Sequence, residues 1–206
     1  SVFSHMLIVF PFSEHCYFAL LQSTIHEVWA REHGSTLETR FRYTPKECFE
    51  TFPFPAAPHC LETLGSRYDE SRAEVMCAEN CGLTKTYNRF HDDKENSNSI
   101  EMLRDVHVEM DQAVASAYGW DDLDLAHGFH ETNQGVRYTI SAPARREVLQ
   151  RLFKLNHERY EEEERHGLHD KKRKQAKASG SKGQSRKKKA PAAPMLFKLD
   201  DDEEGG

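Results

Sequence analysis

No run of this sequence approaches the roughly 18 consecutive apolar residues that a membrane-spanning helix requires, and no charged-then-apolar leader opens it. Both absences point to a soluble, unexported, cytoplasmic chain with no membrane partner. Cysteine is sparse: five residues, an odd number without close spacing, argue against a disulfide framework and suit a reducing compartment, where they serve as small core hydrophobes. No strand runs into a Gly-x-Gly helix entry, so that cradle for a nucleotide-like cofactor is missing, and no two prolines are adjacent. Internal repeats are absent too. With 30% of its 206 residues charged, the chain holds less core-forming material than its length suggests.

Charge divides the sequence. Residues 171–190 carry ten Lys or Arg and no acid, and residues 200–204 are all acidic. Residues 1–169 hold 17 basic and 28 acidic side chains, a net of −11. Nucleic-acid contacts from an acidic body have to come from a local cluster or from the tail, not from an overall field. The tail reads either as a nonspecific phosphate binder or as a solvated low-complexity extension.

Residues 1–12 have the apolar character of a buried strand, and a strand needs neighbours, so a chain opening this way on Ser1 is expected to be part of something larger. Ser13 as N-cap, apolar positions at helical spacing and Gly34 predict one helix of about five turns. The pattern switches to period two from Leu37 to Tyr43, a half-exposed strand. Pro53 and Pro55 then hold Phe52 and Phe54 in an extended aromatic corner. Helices follow at Leu61–Glu79, Ile100–Tyr118 and Ser141–Glu164, with a short polar segment at 83–92, a loop at 93–99 and a short strand at Val136–Ile140. Beyond His166 the composition predicts disorder. The fold class is α+β: a small N-terminal strand-helix-strand unit (1–58), a mainly α-helical segment (59–166) and a disordered charged tail (167–206).

Four segments stand in order along the chain: Thr39-Arg-Phe-Arg-Tyr-Thr-Pro-Lys-Glu-Cys-Phe-Glu-Thr-Phe-Pro-Phe-Pro55, Gly82-Leu-Thr-Lys-Thr-Tyr-Asn-Arg-Phe-His-Asp92, Tyr118-Gly-Trp-Asp-Asp-Leu123 and Leu155-Asn-His-Glu-Arg-Tyr160. Together they resemble the C-terminal region of the MmeI-like adenine-specific DNA methyltransferases of bacterial restriction-modification and phage-defence systems, over roughly residues 1–165. The resemblance implies the end of a target-recognition domain with a helical segment behind it, and double-stranded DNA as partner. It implies S-adenosylmethionine for the full-length enzyme, with the catalytic domain upstream or in trans. Such enzymes flip their target adenine, since its nitrogen is inaccessible in the duplex, and hold it with an Asn- or Asp-Pro-Pro-aromatic motif that this chain lacks.

The candidate DNA-binding residues are Arg40, Arg42 and Lys46 on and beyond the strand, and Lys85, Asn88 and Arg89 after the second helix. Arg forks onto guanine or phosphate and Lys serves as a point charge. The competing reading pairs Arg40 and Arg42 with Glu38, Glu47 or Glu50 at the surface, and has Tyr87 and Phe90 packing under a turn. Cys77 and Cys81, at i, i+4 on the expected helix, and the loop histidines His127 and His130 read as structural, with no zinc-finger spacing and no oriented nucleophile. No catalytic, cofactor or metal residue is assigned. The alternative function is a helical protein-interaction module that docks a methyltransferase or another defence subunit. Incubated alone with labelled methyl donor and mixed DNA, the chain is expected to leave the DNA unlabelled; robust labelling would show a complete catalytic apparatus.

Overall fold

Ser23 sets the first departure from the sequence pattern. Its hydroxyl donates to the Leu20 carbonyl at 2.7 Å and accepts from the His26 N–H at 3.3 Å. A serine that satisfies backbone groups on both sides competes with the helical ladder. The single helix expected across this region is therefore two, α1 (His15–Gln22) and α2 (Thr24–His33), with Ser23 extended between them. This computed structural model describes residues 8–37 and 40–167. Residues 1–162 form one compact unit; a second begins at Glu163, and the charged tail expected beyond 167 lies outside the described residues.

The first helix is not capped by Ser13. Glu62, 47 residues downstream, accepts the His15 and Cys16 N–H groups at 3.1 and 2.8 Å, and these two bonds hold its carboxyl below the usual range. Glu62 opens α3 (Glu62–Ala78), so the cap also fixes where α1 crosses α3. A glycine is required at that crossing: a Cβ on Gly65 would lie 2.1 Å from the His15 carbonyl oxygen.

The opening strand is corrected as well. Residues 1–7 lie outside the described residues and 8–12 form no strand; Phe10 and Phe12 instead lean on Phe49, with ring centroids 4.9 and 6.1 Å away. Likewise the single strand expected over 37–43 is a hairpin. β1 (Ser35–Leu37) pairs antiparallel with β2 (Arg40–Arg42) in the register Ser35↔Arg42, and residues 38–39 between them lie outside the described residues. A period-two pattern does not mark where a chain reverses, so one strand and two short ones read alike.

A wide π-type turn, Pro45–Phe49, leads into the aromatic corner, where Phe52, Pro53 and Pro55 are buried as the proline pattern predicts. The Phe52 ring stands edge-on to His26 at 4.5 Å and to Trp29 at 6.2 Å. Segment 83–92, expected as an irregular polar stretch, is α4 (Leu83–Phe90), since Thr86 and Phe90, four apart, share a buried face. Cys81 falls beyond the end of α3, after Asn80 at φ 47°, so Cys77 and Cys81 do not share a helix face. α5 (Asn98–Ala117) ends at Gly119, φ 75°, where the N–H groups of Gly119 and Trp120 bond to Ser116 and Ala115 in a Schellman closure.

β3 (Gly128–Thr132) and β4 (Gly135–Thr139) form a second hairpin, and α6 (Ala142–Arg165) closes the unit. The sequence pattern predicts only β4; β3 includes His130, one of the histidines expected in a loop. One apolar cluster draws on α1 to α6, the aromatic corner and the residue following β4, with Leu20, Trp29, Tyr68, Met110, Ile140 and Leu152 each essentially inaccessible. Each such side chain contributes about 1.5–3 kcal/mol on burial. The α+β class stands, and the residues before and after position 58 share this core.

A carboxylate lies inside. Asp111 of α5 is fully buried, accepts the Thr24 N–H at 2.8 Å and faces His127 Nε2 at 2.9 Å and His107 Nε2 at 3.5 Å. Burial alone opposes ionisation, but His107, His127 and the Thr24 bond more than offset it, so the carboxyl is held below its ordinary range. A depressed carboxyl stabilises the fold above its unfolded pKa, and that contribution is lost as pH falls through the folded value. Asp111→Ala leaves the Thr24 N–H and two imidazoles facing a void and is expected to cost about 3 kcal/mol in urea denaturation at neutral pH. The gap between variant and native protein should narrow as pH falls into the acid range.

Candidate nucleic-acid interface

The β1–β2 hairpin presents the first cations. Arg42 and Lys46 are exposed, and among the described residues neither makes an ion pair or hydrogen bond. Among the described residues Arg42 has no carboxylate partner, and Glu47, one of those weighed for it, accepts the Thr44 hydroxyl at 2.8 Å. Arg40 takes its place in β2 opposite Leu37. An exposed guanidinium without a carboxylate partner keeps its full set of donors for an incoming acceptor.

The second group of candidates divides. Lys85 and Asn88 are exposed on α4. Arg89 is engaged inside the fold: it pairs with Glu79, meets Glu95 at 2.7 Å and donates to the Ser97 hydroxyl at 3.0 Å. That fork ties the end of α3 to the loop before α5. Tyr87 leans on the core, its hydroxyl 3.2 Å from that of Tyr68. Arg104, overlooked in the sequence, completes the arrangement. It is buried, donates to the carbonyls of Arg89, Phe90, Asp92 and Glu95, and stacks over Phe129 and Tyr138 with centroids 4.9 and 5.3 Å away. Two of these carbonyls, Arg89 and Phe90, end α4, where a helix leaves acceptors without intrahelical partners, and the same guanidinium reaches on to the loop that follows.

Beside the hairpin lies a cleft of about 820 Å³, walled by α2, Phe41 of β2, α4, the β3–β4 turn and the start of α6. Four arginines line it, Arg31, Arg137, Arg145 and Arg146, against two glutamates, Glu27 and Glu131. Arg31 is held by Glu27 at 2.6 Å and by the Gln134 side-chain oxygen at 3.1 Å, and Arg145 donates to the Glu131 carbonyl at 3.0 Å. Arg146 is exposed, and among the described residues it has no partner. Arg137 is half-buried, and its Nε–H is enclosed without an acceptor. His91 lies in the same wall, its basicity pushed down to about 4, first by burial and then by the Arg137 charge against an opposing pull from Glu27. Asn88 opens onto this cleft, so one sequence candidate reaches it.

Arg137, Arg145 and Arg146 were missed because they come from a strand and a helix start that look unremarkable in isolation. One signal was available. Arg145 and Arg146, the fourth and fifth residues of α6, stand near the positive end of the helix dipole, which favours acids, and the first turn carries no acid.

Residues 1–56 match the family model described as the MmeI target recognition domain. The match runs through α1, α2, the first hairpin and the π turn and stops one residue after Pro55, so the three motif segments at 82–92, 118–123 and 155–160 lie beyond it. No curated protein and no solved structure matches the chain. Among the described residues, no helix is long and apolar enough to cross a membrane, and no group of three His, Cys, Asp or Glu is placed to hold a metal ion.

The Arg89 clamp has a direct readout. Arg89 and then the Ser97 bonds pull the Glu95 carboxyl down to about 2. In an Arg89→Met protein that carboxyl should titrate higher than in the native protein while staying below the ordinary glutamate range, because the Ser97 bonds remain, as followed by carbon-13 NMR. The stabilisation it carries, present above the unfolded pKa and lost as pH falls through the folded one, should shrink with the shift.

Proposed function

We propose that the chain is the DNA-recognition portion of an N6-adenine DNA methyltransferase system of the restriction-modification or phage-defence type. In this reading residues 1–58 complete the target-recognition domain, residues 59–166 form the helical segment that backs it, and 167–206 are a charged extension. The S-adenosylmethionine-binding catalytic domain lies upstream or on another chain. The observation that carries the proposal is the match of residues 1–56 to the MmeI target recognition domain, which spans the hairpin bearing the open Arg42.

The hairpin has the form such a role needs. A two-stranded ribbon fits the major groove, and arginine presents paired donors to guanine or a phosphate. Lys46, on the turn that follows, supplies a point charge for the backbone. Arg40, Arg42 and Lys46 are the assigned DNA contacts on the ribbon. Lys85 and Asn88 extend the contact surface along α4, and Arg89 contributes by fixing that helix.

Gel-shift titration of the full chain against duplex DNA at two salt concentrations tests this. Binding is expected to weaken steeply with salt, and neutralising Arg42 and Lys46 together should lower the slope of log K against log salt by about 2. Absence of binding at low salt, or binding indifferent to salt, would favour a protein-docking module instead.

A further inference from the structure

We propose that the cleft beside the first hairpin is a phosphodiester-binding site, with Arg137 and Arg146 as its phosphate ligands and duplex DNA as its occupant. The inference rests on the DNA-recognition reading and extends it to residues outside the segment that matches the target recognition domain.

Three observations converge. The first is a polar group with no acceptor. The Arg137 Nε–H is enclosed in the protein without one, and the rest of this half-buried guanidinium, in the cleft wall, has no acceptor among the described residues and is open to an incoming anion. The second is charge. Within an acidic body the cleft gathers four arginines against two glutamates, and Arg31 already holds one of those glutamates, which leaves Arg137 and Arg146 unclaimed among the described residues. Local positive charge of this kind is what an acidic body needs to hold a polyanion. The third is placement. Phe41 of β2 forms part of the wall, so the cleft lies beside the hairpin that carries Arg42.

The cleft holds about 820 Å³, and Arg146 in its wall is exposed to an entering backbone. A free nucleotide offers the same phosphate chemistry but has no reason to sit beside the recognition hairpin.

The test uses the full chain, a fluorescent duplex of random sequence and anisotropy measured at several salt concentrations. Arg137→Gln/Arg146→Gln is expected to weaken binding at least tenfold at low salt and to reduce the salt slope by about 2, since about 0.9 counterions are released per phosphate neutralised. Lys154→Gln, which removes an exposed positive charge elsewhere on α6, should leave the slope unchanged. If the double variant fails to fold, as judged by circular dichroism, Arg146→Gln alone should lower the slope by about 1, because its side chain is exposed. Native protein that binds DNA while the variants keep affinity and slope would overturn the cleft proposal and leave the DNA-recognition reading standing. Native protein that binds no duplex would overturn both. Calorimetry with ATP completes the test: tighter binding of ATP than of duplex, abolished by the double variant, would assign the cleft to a free nucleotide and overturn DNA as its occupant.

Discussion

The carboxylate of Asp111 holds three otherwise independent pieces in one place. It sits in the middle of α5, receives the N–H of Thr24 at the first residue of α2, and is faced by His127 at the entry to β3. An ionised group inside a protein survives only where its neighbours replace water, and here a helix-end N–H and two imidazoles do so. The position of α2 sets where the first hairpin leaves the body, and the position of β3 sets the opposite wall of the cleft. Both walls are therefore referenced to the same buried atom group, and the separation between them is fixed from the core outward.

Arginine occupies four distinct situations in this fold, and burial alone does not sort them. Arg104 is buried without a carboxylate, satisfied by four carbonyls and two aromatic faces. Arg89 is partly exposed yet committed to Glu79 and Glu95. Arg137 is half-enclosed with a donor left over, and Arg42 stands in solvent with all of its donors free of partners among the described residues. The first two are structural because their hydrogen-bonding capacity is used within the chain. The last two are functional candidates because it is not.

Much of the fold could be read from the residues. The long helices α3, α5 and α6 carry sustained periodicity with clear end signals, and the proline-fixed corner is buried where its rings imply. The misreadings share a cause: partners distant in sequence. Nothing near Ser13 announces that Glu62 caps α1, and nothing in Leu37–Tyr43 shows that the chain doubles back. Ser23 looked like an ordinary helical position because its competing hydroxyl bonds are visible only in three dimensions. Of the candidate site, Arg42 and Lys46 were legible as cations on a recognisable segment. Arg137 and Arg146 were not, since a cleft assembled from α2, α4, a hairpin and α6 has no contiguous signature.

The path of α6 carries a consequence for how such proteins can be recombined. Its start supplies two of the cleft arginines, while further along Asn156 donates to the Thr51 carbonyl at 2.7 Å and Arg159 to the Phe54 carbonyl at 2.5 Å. The same rigid rod thus grips the segment that matches the target recognition domain at its far boundary. Cutting the gene after that boundary and splicing the front piece into a relative would strip the corner of its only donors from α6 among the described residues. The segment that matches the target recognition domain is not a detachable cassette; any graft must bring its own rear buttress along.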